Sequence, residues 1–343
     1  MRGSVLAAAV ILLAGGLLVD LRSAGAASSS VPPPKCCFHI FVINADGTRQ
    51  SVLTRGAEGV SAPAWSPNGK KIAYDGIVMM NADGSGVTKL VAGVEPAWSP
   101  DGRKIAFVAN GDIYVMTARG AVTARLTQGE GNDGGPAWSP DGRKIAFARR
   151  TGDFDIYVVN VDGTAETRLT TGPAYEDDPA WSPDGTRIAF HRSGIGETPE
   201  IYVMQADGSG QGPLPNRAQG IEPAWSPGGR RIAFVDAGIT VMQADGSGQS
   251  RLADGSGPTW SPGGRRLAFS RRTDSEGCIV PDVVGRSLSV ARATLRRLGC
   301  PVGPIRRVRS MRPRLTVVRQ IPPPVSALLD LKGVYLFVSR GRR

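Results

Sequence analysis

Between residues 37 and 273 apolar and polar residues alternate over short runs, and no apolar stripe at helical spacing interrupts them. Each run is bounded by turn text, Ser-Pro-Asp-Gly or a close variant at one place and Ala-Asp-Gly at another. Proline presets the first turn angle, and Asp or Asn before Gly tolerates the left-handed position that closes a hairpin. The pattern predicts strand, tight turn, strand, loop, strand, turn, strand, after which the same text begins again.

The repetition is close to literal. PAWSPDGRKIAF stands at Pro96 to Phe107 and again at Pro136 to Phe147, with looser copies around Trp65, Trp181, Trp225 and Trp260, so all six tryptophans mark one position of a repeat. The spacings run from 33 to 44 residues with a mean of 39, a period that suits a four-stranded propeller blade. Before the first Trp lies CFHIFVINADGTRQSVLT, a third and fourth strand without a first and second. After the last lies WSPGGRRLAFSRR, a first and second strand without a third and fourth. Joined, the fragments make a sixth blade, and a ring closed by both chain ends leaves no free sheet edge.

The W-S-P-D-G-x-x-I-A-F and I-Y-V-M-x-A-D-G units resemble those of the TolB family of six-bladed propellers, over residues 37–273. The resemblance implies a periplasmic or extracellular scaffold that binds proteins. The fold class expected is thus mainly β, a six-bladed β-propeller with a small α+β domain behind it.

The N-terminus supplies a compartment. A positive start, the apolar stretch Val5 to Val19 and the small residues Ala24-Gly25-Ala26 read as a signal peptide over 1–26, with 27–36 as linker. Fifteen apolar residues ended by Asp20 are short for a span of about 20; an uncleaved anchor prolonged by Leu21 is the alternative. Four cysteines in an exported chain invite disulfides. Cys278 and Cys300 flank a predicted helix that carries the chain out and back, which makes them the preferred pair. A bridge from Cys36 or Cys37 to Cys278 is the rival. No Cys-x-x-Cys occurs, and His39 and His191 lie far apart, so no metal is expected.

Charge changes abruptly after Gly277. Residues 278–343 carry 13 Arg and one Lys against Asp282 and Asp330, a balance of +12, which leaves −1 of the chain's +11 for everything before. The text predicts an extended segment, a helix capped by Ser287 and ended by Gly299, and three strands, with Leu288, Ala291, Leu295 and Leu298 as the helix's buried stripe. Val280-Pro281-Asp282-Val283-Val284-Gly285, the Ala291 to Gly299 helix end, Val302-Gly303, Gln320 with Pro322-Pro323, and Val334 to Gly341 resemble a PASTA domain over 278–341. That resemblance implies a contact with peptidoglycan. Arg306, Arg307, Arg309, Arg312 and Arg314 cluster where a strand runs into a loop and are the candidate contact with peptidoglycan or another anionic wall polymer.

Candidate chemistry in the repeats is sparse. The turn aspartates Asp101, Asp141 and Asp184 are replaced by Asn68, Gly228 and Gly263 in other copies, so turn geometry explains them better than ligation does. No G-x-S-x-G elbow occurs, and His191 has no local partner pattern. The residue before the repeat's Pro is Ala62, Glu95, Gly135, Asp178, Glu222 and Gly257. By analogy with other propellers this position lies where the chain enters the innermost strand, near the mouth of the central channel, which makes Glu95, Asp178 and Glu222 candidates for a site that takes a cation or a basic partner segment. The reading is a non-enzymatic, exported, monomeric envelope scaffold without cofactor, binding an envelope protein through the propeller and wall polymer through the module. A propeller hydrolase or lyase acting at the channel is the alternative, and export argues against nucleic acid as a partner.

Overall fold

The computed structural model describes residues 37–54, 60–273, 278–298, 300, 302–321, 327–328 and 334–341. The candidate signal segment over 1–26, the linker 27–36 and residues 322–326 lie outside them. Six four-stranded antiparallel sheets follow one another along the chain. The second is typical, with strands Val94–Trp98, Lys104–Ala109, Asp112–Thr117 and Val122–Arg125 paired in sequence order. The first strand of each sheet touches the first strand of the next, and that of the last sheet touches Ala64–Trp65 of the first, so the sheets close a propeller ring.

Closure uses both ends of the array. Cys37–Asn44 runs antiparallel to Arg266–Thr273 in unbroken register from Cys37 opposite Thr273 to Asn44 opposite Arg266. Phe41 stacks on Phe269 at 5.7 Å, and both rings are fully buried.

The Ile-Ala-Phe text of the second strands shows why each blade needs its neighbours. Ile105, Ala106 and Phe107 are consecutive and all buried, so both faces of the strand are covered. Ile105 and Phe107 pack with Ile77 and Met79 of the preceding sheet. Ala106 faces the other way, onto Trp138, Ile145 and Phe147 of the following one. Alanine is the residue that leaves room for that tryptophan. Arginines two residues before the same Ala extend the wedge: Arg187 lies over Trp225, Arg231 over Trp260 and Arg266 over Trp65, at 4.6 to 5.1 Å, each reaching from one sheet to the next. Trp138 and Trp260 also donate their indole N–H to Ala97 O and Ala224 O of the preceding sheet, each at 3.0 Å.

The turn aspartates serve their turns. In Asp101, Asp141 and Asp184 one carboxylate oxygen accepts both the hydroxyl of the turn's own Ser and a backbone N–H two residues on. These bonds hold all three carboxyls below the usual range.

After the ring the chain builds a small α+β unit. Helix Leu288–Arg297 packs on a three-stranded sheet in which Val302–Val308 runs parallel and Val317–Ile321 antiparallel to the central Val334–Ser339. Ser287 caps the helix by accepting the Val290 N–H at 3.4 Å. Ala291, Leu295 and Leu298 are buried as the stripe requires, and Leu288 is partly buried against the same core. That core is continuous with the closing blade's. The Arg297 guanidinium crosses the seam between the closing blade and the first, donating to Leu53 O at 2.8 Å, Asp83 O at 2.8 Å and Gly84 O at 2.5 Å. No helix among the described residues is long and apolar enough to cross a membrane.

Candidate functional site

The first strands of all six sheets converge on one cavity of about 370 Å³, lined by the repeat prolines and by Asp75, Glu95, Asp178 and Glu222. The residue before each proline has a left-handed backbone: φ is 45° at Ala62, 53° at Glu95, 59° at Gly135, 53° at Asp178, 55° at Glu222 and 63° at Gly257. Glycine adopts this freely, whereas the other residues are strained there by roughly 1 kcal/mol each. The strain accompanies a bulge, since the strand register slips between Val94 and Ala97, Gly134 and Ala137, Asp177 and Ala180, Ile221 and Ala224, and Ser256 and Thr259. Each bulge turns one side chain or N–H toward the cavity.

The carboxylates answer those N–H groups. Glu95 Oε2 accepts the Gly135 N–H of the next sheet at 2.7 Å, and Glu222 Oε2 accepts the Gly257 N–H of the next at 2.5 Å. Asp75 Oδ1 takes the Glu95 N–H at 2.7 Å, and Asp177 Oδ1 the Asp178 N–H at 2.7 Å. Glu95 and Glu222 thus brace neighbouring blades with one oxygen and keep the other for the cavity. Asp178 differs, since its Oδ2 lies 3.1 Å from His191 Nδ1. His191, which has no local partner pattern in the sequence, meets acidic side chains in the fold: it stands directly across the strands from Asp177 and beside Asp178.

Burial and mutual repulsion set the charge here. Burial pushes the Glu95 and Glu222 carboxyls up, and the Asp178 charge adds to it. Burial, then Asp178, pushes Asp177 up to about 7. His191 would be lowered by its burial, but Asp178, Asp177 and Glu222 outweigh that and raise it. Among the described residues no three His, Cys, Asp or Glu side chains come close enough to hold a metal ion. The arrangement suits a guanidinium, an ammonium or a run of backbone donors, which spread their hydrogen bonds over a wall.

Sequence reasoning found Glu95, Asp178 and Glu222 but missed Asp75, Asp177 and His191. Their signal was a column of the repeat. The residue after the second-strand aromatic is Asp75, Val108, Ala148, His191, Val235 and Ser270, and the residue two before the proline is Ser61, Val94, Gly134, Asp177, Ile221 and Ser256. These columns face each other: Ser61 Oγ donates to Asp75 at 2.5 Å, and Ser256 and Ser270 hydroxyls meet at 3.0 Å. Where one member is apolar so is its partner, as in Val94 opposite Val108.

The second candidate surface is on the C-terminal unit. Arg306 and Arg307 lie on strand Val302–Val308, Arg309 just beyond it, and Arg312 and Arg314 in the following loop. All five are exposed, and among the described residues none has an acidic partner. Cys300 is buried; the Cys278 side chain lies outside the described residues.

A closed ring of four-stranded sheets with a shared axial cavity defines a β-propeller. The family model of the TolB beta propeller domain matches residues 32–150 and 136–289, and the chain belongs to that family. Among solved structures it is similar to the putative TolB of Agrobacterium tumefaciens, at 26% identity and a TM-score of 0.61 over 69% of this chain and 99% of that one. TolB from Acinetobacter baumannii matches at 23% identity and a TM-score of 0.55 over 67% of each chain. A gluconolactonase from Xanthomonas campestris, at 14% identity and a TM-score of 0.53 over 70% of this chain and 96% of that one, shares the fold alone. No curated protein matches the chain.

Proposed function

We propose that this protein is an exported, non-enzymatic scaffold of the cell envelope. Its propeller docks a basic segment of a protein partner at the axial cavity, and its PASTA-like module, residues 278–341, holds it to peptidoglycan or another anionic wall polymer. The observation that carries the reading is the opposition of charge between the two surfaces: bulge-mounted carboxylates on a shared cavity, and five exposed arginines without acidic partners among the described residues. Family membership supports the protein-binding half. Resemblance to PASTA over Val280–Gly285 and Val334–Gly341 supports the wall-binding half. The reading includes a cleaved signal peptide over 1–26, a monomer, and Cys278 as partner of Cys300.

The test is sedimentation of the mature protein with purified cell wall, comparing wild type with Arg306→Glu/Arg307→Glu/Arg309→Glu. The Debye length falls from about 10 Å at 0.1 M salt to about 3 Å at 1 M. Charge reversal is expected to abolish binding at the lower salt. A variant that sediments like wild type refutes the assignment. Envelope capture on Glu95→Gln/Glu222→Gln tests the cavity: loss of the captured partner is expected, and equal capture refutes it.

One observation favours the alternative of a hydrolase or lyase at the channel. Asp178 lines the cavity and lies 3.1 Å from His191, which faces Asp177 across the strands, so proton donors and acceptors stand together at the cavity wall with Asp177 near neutrality. Turnover of peptides, esters or glycans that disappears in His191→Ala would establish it over the scaffold reading.

A further inference from the structure

Among the described residues large exposed hydrophobic side chains are few, and three of them belong to the C-terminal module. They are Val290 at 46% exposure, Met311 at 73% and Leu315 at 41%. Val290 lies in the first helical turn, and the Leu288 N–H donates to Leu315 O at 2.8 Å while Ser287 bridges Thr316, which seats the helix start beside the 309–315 loop. The loop is fixed: the Leu315 N–H donates to Ser339 O at 2.9 Å, the Ser339 hydroxyl to Arg312 O at 2.8 Å and the Arg312 N–H to Ser310 Oγ at 3.1 Å. The module thus presents an exposed Met311 on a hydrogen-bonded loop that also carries the exposed Arg309, Arg312 and Arg314.

A polar polymer of sugar, peptide or phosphate uses the arginines and gives Met311 nothing. A bilayer with anionic headgroups uses both, since guanidinium groups pair with lipid phosphates while apolar side chains between them enter the acyl boundary. We propose that the 309–315 loop docks this module on an anionic lipid bilayer, with Met311 inserted below the headgroups. The proposal rests on the reading of this module as the envelope contact and goes beyond it by assigning a lipid surface.

Flotation of the full mature protein with phosphatidylglycerol vesicles, with phosphatidylcholine vesicles as control, tests it beside sedimentation with purified cell wall. Wild type is expected to float with the anionic vesicles only. Met311→Ser is expected to weaken that binding about tenfold and to leave sedimentation with cell wall unchanged, and Met311→Trp to bind at least as well as wild type. Each arginine reversed to glutamate in the loop should weaken vesicle binding about fivefold or more. Equal vesicle binding by Met311→Ser overturns insertion. So does a wild type that sediments with cell wall and ignores phosphatidylglycerol vesicles. Vesicle binding without wall binding supports the lipid assignment and overturns the polymer reading instead.

Discussion

The propeller and the C-terminal module use charge in opposite ways. In the propeller Arg149 is buried between Asp133 and Glu166, Arg125 pairs with Asp112 and Arg168 with Asp155, and the charges nearly cancel. In the module the described arginines other than Arg286 and Arg297 are exposed. A repeated fold spends most of its polar residues on holding blades together, so function there has to be read from departures, the positions where one blade differs from the rest. A module present once, with charge that packing does not use, speaks of its partner directly.

The severest way to break this comparison is at the ring's closure. Deleting residues 37–54 removes the strand that pairs with Arg266–Thr273 and the ring that stacks on Phe269. It bares the edge of a long strand and opens a core position whose truncation alone, Phe41→Ala, costs about 3–5 kcal/mol. Against a typical total stability of about 5–15 kcal/mol, the deletion is expected to give aggregated or unfolded protein. A monomer with an unchanged melting temperature in calorimetry would refute closure by the two chain ends.

Arg297 sharpens the comparison from the other side, because it is a module arginine that packing does use. Its three bonds go to backbone carbonyls of two blades, and Gly84 is close enough that an added Cβ would lie 2.4 Å from Leu53 O and 2.6 Å from the guanidinium. Arg297→Ala is expected to lower stability by about 1–3 kcal/mol, since half-buried carbonyls lose a charged donor. Arg309→Ala, exposed and without an acidic partner among the described residues, should stay within about 0.5 kcal/mol of wild type. Equal melting shifts for the two variants would remove the distinction between packed and presented arginines.

The fold was legible because its physics is periodic. A turn that needs Pro then Gly, an Ala that must yield to the next blade's Trp, and an aromatic that fills the core recur at each copy, so six weak signals add. The Arg187, Arg231 and Arg266 contacts with the following blade's Trp were not legible, because they join residues far apart in sequence, about 30 to 40 positions for the first two and about 200 for Arg266 and Trp65 across the ring closure, that no local pattern couples. The cavity was half legible. Glu95, Asp178 and Glu222 stood out as acids before a proline, but their left-handed backbone and their bonds to the next blade's N–H appear only in three dimensions. His191 was passed over because its partners Asp177 and Asp178 lie on the opposite strand, across a bulge.

The smallest expected effect tests whether the fourth sheet is the departure that matters. Asp177 is raised to about 7, chiefly by burial and then by Asp178. Its unfolded value is about 4, so between about pH 4 and 7 the native state binds more protons than the unfolded one. Stability from this group is therefore full at low pH and fades as pH rises toward 7. His191, whose folded value is raised, contributes in the same sense: its stabilisation is present below its unfolded value of about 6.5 and is lost as pH rises through the folded one. The propeller should accordingly melt higher near pH 5.5 than near pH 8. Asp177→Asn keeps an oxygen for the Asp178 N–H and removes the charge, so it should raise stability near pH 8 by on the order of 1 kcal/mol, a few degrees in melting temperature. The gap between the two pH values should narrow with it. Melting curves of wild type and variant at both pH values check this, with Asp236→Asn in the fifth sheet as control. A variant whose pH dependence matches wild type would mean that the Asp177 charge is screened by solvent in the cavity, and that the fourth sheet stores no more electrostatic strain than its neighbours.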